Sequence, residues 1–260
     1  MLVNSGWKNF TIQFMGVIDI NCDMGEGFDN DEIIMPFISS ANIACGYHAG
    51  NERIMKQTIE LAQKNNVAVG AHPSFFDKGN FGRTEMKLAA EEIYDIIILQ
   101  LRLIEKIARF QHAKLHHVKP HGALYNMSAK DPAMANAIAN AVKDFDEDLI
   151  LFGLSGSHSI KEAERLNLKT ASEVFADRTY QDDGSLTPRS RTNALIEDTA
   201  KSVAQALQMI TEKKITSVNG NEISIKADTI CVHGDGKKAA EFAEAIYQNL
   251  KQHNIDIKAI

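Results

Sequence analysis

The sequence predicts a closed or nearly closed (β/α) barrel, an α/β fold of about seven parallel strands. Three observations support this. Short apolar runs alternate with longer stretches of helical period, the order expected of a parallel sheet covered by helices. About seven or eight such units follow one another without a composition break that would mark a second domain. Charged and imidazole side chains recur just after the apolar runs, where a barrel gathers its site. An open doubly wound sheet is the alternative, but GEG at 25–27 lacks the third glycine of a dinucleotide fingerprint.

In chain order, residues 1–14 read as an extension and 15–260 as one barrel domain, with Met15 a second candidate start. GVIDI (16–20) and ANIAC (41–45) are the first two strands. Asn51 to Asn65 is helical, with Ile54, Thr58, Ile59 and Leu61 on one face. VAVGAH (67–72) is the third strand. Lys87 to His112 is a long amphipathic helix whose regularly spaced charges exclude a membrane span. KLHHV (114–118) is the fourth strand. Asp131-Pro132 opens the next helix, Asp as N-cap and Pro at the first helical position. LILFG (149–153), a helix over 157–166, LKTASEVF (168–175) and a helix over 193–213 follow. Asn219-Gly220 between two β-like runs signals a hairpin. TICVHG (229–234), a helix over 236–252 and IDIKAI (255–260) complete the chain.

A formal net charge of -6 argues against nucleic acid or an anionic membrane as partner. Cys22, Cys45 and Cys231 form no CxxC pair and sit beside apolar runs, which suits a reduced, cytoplasmic protein. No secretory signal is visible at the N-terminus.

The strand ends carry the chemistry. The first supplies Asp19, Asn21, Asp23 and Glu26; the second Asn42 and His48; the third His72. The fourth supplies Lys119, His121, Tyr125 and Asn126; the sixth Glu173, Asp177 and Arg178; the seventh His233 and Asp235. In a parallel barrel all these ends share one face, so Asp23, His48, His72, Lys119 and His121 are expected in one cavity. A carboxylate at Asp19, inside an apolar strand, needs partners. His112, His116, His117, His158 and His253 are read as ordinary hydrogen-bonded residues. Asp23, His48, His72 and His121 would be the natural ligands of a divalent metal, although no close-spaced ligand motif such as HExxH is present. Neither a Walker loop nor a GxSxG elbow occurs.

DINCDMGEGF, ANIACGYHAG, VGAHPSFFD with FGR, VKPHGALYN, EVFADRTYQDDGSLTPR and CVHGD appear in order from Val17 to at least Asp235. Together they resemble the LamB/YcsF family of 5-oxoprolinase A subunits. The resemblance implies an irregular seven-stranded (β/α) barrel related to the glycoside hydrolase and polysaccharide deacetylase barrels, and ATP-dependent opening of 5-oxo-L-proline to L-glutamate in company with subunits B and C. Among the strand-end residues, that chemistry would fall to Asp23, His48, His72, Lys119 and His121 as catalytic groups. Substrate or ATP would be bound among Asn21, Glu26, Asn42, Arg83, Tyr125, Asn126, Glu173, Asp177, Arg178, Arg189, His233 and Asp235. Lys119 would stabilise developing negative charge, with Asp23 and His48 or His72 as the base. On this reading Lys119→Met folds normally and loses at least about tenfold in activity. A stand-alone metal-dependent amide hydrolase and a non-catalytic substrate-binding protein remain open alternatives. The chain departs from the family pattern at Asn51, Phe76, Asn80, Thr192-Asn193 and Gly236-Lys237, all in loops at the active face.

Overall fold

A computed structural model describes residues 16–232 and 239–260. The 1–14 extension, Met15, His233, Asp235 and Gly236-Lys237 lie outside the described residues. The elements run β1 (Val17–Met24), α1 (Asp31–Ile34), β2 (Ser40–Ala44), α2 (Glu52–Lys64), β3 (Ala68–His72), α3 (Ala90–Phe110) and β4 (Leu115–Val118). They continue α4 (Gly122–Ser128), α5 (Pro132–Phe145), β5 (Ile150–Leu154), α6 (His158–Arg165), β6 (Lys169–Phe175) and α7 (Thr199–Thr211). The last are β7 (Lys214–Thr216), β8 (Glu222–Ser224), β9 (Thr229–Val232), α8 (Ala239–Gln252) and β10 (Asp256–Ile257).

β1 to β6 pair in sequence order, and β9 pairs with both β6 and β1, closing a barrel of seven parallel strands. β10 adds to the outer start of β1, and β7 and β8 form the antiparallel hairpin signalled by Asn219-Gly220. The last strand is shorter than its apolar run suggests: IDIKAI pairs only at Asp256 and Ile257. The helix expected over 193–213 starts at Thr199, where the Asp198 side chain caps the Lys201 amide. Residues before it form a loop pinned by bridges between Arg178 and Leu195 and between Tyr180 and Leu186.

Strand side chains alternate, so Ile18, Ile20 and Cys22 join the apolar core while Asp19, Asn21 and Asp23 share the opposite, interior face. The barrel interior is polar to an unusual degree. Asp19, Asn21, Ser40, Asn42, His117, Glu173 and Thr229 have no exposed surface. A small apolar cluster of Ile150, Phe152 and Ala171 joins them. Buried groups of this kind are tolerated only when hydrogen-bonded. Asp19 meets that demand: Oδ1 accepts from Ser39 (2.6 Å) and Ser40 (2.8 Å), and Oδ2 from Thr229 (2.5 Å). Gly70 makes room for the ring of His117, since a Cβ there would collide with its Nε2.

Candidate active site

The network continues upward from Thr229. Asn21 Nδ2 donates to Thr229 Oγ1 (2.7 Å) and Glu173 Oε1 (2.9 Å), while its Oδ1 accepts from Asn42 (2.8 Å) and Lys119 (3.1 Å). His117 Nε2 donates to Asn42 Oδ1 at 2.8 Å, and its ring stacks on Phe152 at 4.2 Å. Asn21, Asn42 and Glu173 therefore lie beneath the cavity floor and orient the groups above them; none presents surface to a ligand. His117, ordinary by sequence, is part of this scaffold. The signal for it is its place on β4 two residues before Lys119, which follows the strand directly, a spacing that puts both on the interior face.

Lys119, 3% exposed, sits at the floor. Its Nζ lies 2.8 Å from Glu173 Oε1, 2.9 Å from Asp23 Oδ1 and 3.1 Å from the Cys231 sulfur. Burial disfavours the ammonium, but Asp23 and Glu173 outweigh it, and Lys119 is held well above the ordinary lysine value. Burial likewise pushes the Cys231 thiol well up, so it stays protonated. Tyr125, on α4, is kept phenolic first by burial and then by the Glu173 charge.

Beside Lys119 three imidazoles converge. His48 and His121 stack at 3.8 Å, and His72 meets both edge-on. Glu26 Oε1 lies 3.0 Å from His48 Nε2 and 3.4 Å from His121 Nδ1. Asp23 Oδ2 lies 3.2 Å from His72 Nε2. Ligand atoms of Glu26, His48, His72 and His121 all fall within 4.8 Å of one another, so this cluster could hold a metal ion. This cluster differs from the expected set at one member: it includes Glu26, while Asp23 borders it through His72. Gly25 (φ +70°) and Gly27 (φ +94°) turn the loop that brings Glu26 back over the strand end. Burial lowers the pKa of two of the rings, His48 strongly and His121 to about 3.

Asp23, Glu26, His72, Lys119, His121 and Tyr125 line an open cavity of about 1350 Å³, with Arg83, Asn126, Arg178 and Arg189 also in its walls. Asp177 is not in the walls, and neither is His48, which by sequence is expected to share the cavity but lies buried behind Glu26 and His121. The Arg178 guanidinium is engaged by the loop, donating to Thr187 O (2.6 Å) and Ala194 O (3.3 Å). Burial, then the Arg189 charge, lowers its pKa. Two departures from the family pattern serve local structure: Asn51 caps α2 by accepting from the Ile54 amide at 3.0 Å, and exposed Phe76 packs edge-on against Tyr47. The three cysteines are free and buried. Among the described residues no helix is long and apolar enough to cross a membrane.

Comparison with known proteins places these residues in a wider set. The LamB/YcsF family model matches residues 18–260. The 5-oxoprolinase A subunit of Staphylococcus epidermidis is 52% identical over 248 residues, 94% of this chain and 98% of its own. That of Shouchella clausii is 51% identical over 94% of this chain and 99% of its own. The lactam utilization protein of Thermus thermophilus superposes with a TM-score of 0.89 at 38% identity, covering 94% of this chain and all of the other. A family 4 carbohydrate esterase from Streptomyces lividans, 11% identical with a TM-score of 0.51 over 94% of this chain and 93% of its own, shares the fold alone.

Proposed function

The chain belongs to the LamB/YcsF family, and on that premise we propose that it is the A subunit of an ATP-dependent 5-oxoprolinase, opening 5-oxo-L-proline to L-glutamate with subunits B and C. The observation that carries this reading is Lys119, a charged ammonium held between Asp23 and Glu173 on the floor of the cavity, beside three imidazoles. A five-membered lactam resists water because amide resonance feeds electron density into its carbonyl. Transfer of the γ-phosphoryl of ATP to the lactam oxygen removes that resistance. Water then adds to the ring carbon as Asp23 accepts its proton, the carbon–nitrogen bond breaks with protonation of nitrogen to leave an acyl phosphate, and a second water displaces phosphate to give the glutamate carboxylate. Lys119 offsets the negative charge that gathers on oxygen. Arg83 and Arg189 at the cavity walls suit the substrate carboxylate and the nucleotide phosphates.

The chain carries no Walker loop, which supports a share for the partner subunits in nucleotide binding. Three free thiols fit a reducing cytoplasm. A second reading, a metal-dependent amide hydrolase acting alone, is favoured by the histidine cluster. One assay separates the two: glutamate release from 5-oxoproline with and without ATP and the two partner subunits. The oxoprolinase reading expects turnover only in the complete mixture. Full turnover by the isolated chain, or turnover without ATP, overturns it.

A further inference from the structure

We propose that Glu26, His48, His72 and His121 bind one divalent first-row transition-metal ion, of the zinc, cobalt or manganese class. The argument rests on where the imidazole protons lie. Each ring gives its outer nitrogen to an acceptor. His72 Nδ1 contacts Lys119 O at 2.7 Å, and His121 Nε2 contacts Phe81 O at 2.9 Å. His48 Nδ1 contacts Ser74 Oγ at 2.9 Å, and that hydroxyl donates its own proton to Phe75 O. Carbonyl oxygens only accept, so all three outer nitrogens carry hydrogen. In the uncharged tautomers that these contacts select, the inner nitrogens present lone pairs.

Those lone pairs face one another. His72 Nε2 and His121 Nδ1 are 2.9 Å apart, and Glu26 Oε1 adds a carboxylate 3.0 Å from His48, 3.4 Å from His121 and 3.9 Å from His72. Four acceptors converge with no donor among them, in a place where His48 and His72 are 1% and His121 6% exposed. A cation between them removes the repulsion. Ligand atoms about 2.0–2.2 Å from such an ion stand roughly 3.0–3.5 Å apart, near the spacings found. Three imidazoles and one carboxylate suit borderline ions over hard magnesium or calcium. The outer hydrogen bonds are the orienting shell such ligands ordinarily have.

One further feature points the same way. Phe81, a bulky residue, is held at φ +57°, a costly conformation that directs its carbonyl to His121 and its ring against His48. Asp23 borders the site: its Oδ1 is engaged by Lys119 and Asn42, and its Oδ2 lies 3.2 Å from His72 Nε2.

The test is made on the chain alone, without ATP or partners, so its result is separate from that of the oxoprolinase assay. The chelator-stripped protein is titrated with Co²⁺ and with Zn²⁺, read by visible absorption, calorimetry and elemental analysis. Expected are one ion per chain, ligand-field bands from bound cobalt, and a higher melting temperature. Glu26→Gln and His121→Ala, checked for folding by circular dichroism, should weaken binding at least a hundredfold. Ser74→Ala, which frees the outer edge of His48, should weaken it by about tenfold. Asp23→Asn should keep one ion per chain. Absence of stoichiometric binding at micromolar ion overturns the proposal, as does unchanged affinity in folded Glu26→Gln and Ser74→Ala. Should His121→Ala fail to fold, the other two decide.

Discussion

Replacing Lys119 by methionine tests the site most directly, and the structure changes what should be expected of it. By sequence, a catalytic lysine and a structural ion pair are alternatives, and the catalytic one implies a normally folded variant. The geometry joins them. Nζ is the counter-charge of two carboxylates, 2.9 Å from Asp23 and 2.8 Å from Glu173, and Glu173 has no exposed surface. Methionine fills the volume but leaves the half-buried Asp23 and the fully buried Glu173 without their counter-charge, with only the Asn21 amide in hydrogen-bonding contact with Glu173 Oε1. Removing one partner from a buried pair costs about 3–5 kcal/mol, a large part of the roughly 5–15 kcal/mol that holds a typical protein folded. Loss of the charge should also lower turnover about a hundredfold. A second substitution separates the two effects. Glu173→Gln removes the excess charge while its side-chain oxygen still accepts from Asn21. The double variant should recover about 2 kcal/mol or more of the lost stability and none of the activity. Urea unfolding of the wild type, both single variants and the double variant gives the stability cycle, and glutamate release by the reconstituted complex gives the rates. A single variant as stable as wild type, or a double variant with wild-type turnover, refutes the reasoning.

The sequence is most legible where periodicity is strong. Each of the seven barrel strands falls on an apolar run, and the capped α5 begins at Pro132 with Asp131 accepting from the Ala133 and Met134 amides. Strand-end position is likewise enough to bring Asp23, His48, His72, Lys119 and His121 together, because closing a parallel barrel leaves those ends nowhere else to go. What stays hidden depends on loop direction and side-chain depth. GALYNMS is too short to show a helical period, so α4 leaves no mark in the pattern. Glu26 cannot be ranked above Asp23 as a member of the cluster, because two positive-φ glycines decide where its loop points. Glu173, Asn21 and Asn42 are legible as site residues, but the expectation puts them in contact with ligand, whereas they support the site from below. Residue type and spacing say that a polar group is needed, and only the third dimension says whether it faces water or another side chain.

Two other substitutions probe the scaffold. Gly122 lies at φ +57°, and a Cβ there would come within 2.5 Å of the Gly82 carbonyl, so Gly122→Ala should lower stability by at least about 2 kcal/mol in urea and displace His121 beside it. Asp19 provides a test by pH. Burial raises its pKa against the opposing hydrogen bonds of Ser39, Thr229 and Ser40, so the folded chain holds a proton there at pH values where the unfolded chain, near 3.8, has released it. Stability from this group is therefore present at low pH and lost as pH rises through the folded value, the reverse of a salt-bridged carboxylate. Asp19→Asn cannot titrate, so the stability of wild type relative to the variant should fall as pH rises from about 4 to about 7, by unfolding measured along that range. Three hydroxyls aimed at the carboxylate pull the other way, and the sign of the slope reports which influence is larger. A wild type that gains on the variant with rising pH would mean that the hydroxyls overcome burial, and that Asp19 is an ionised anchor of the barrel floor.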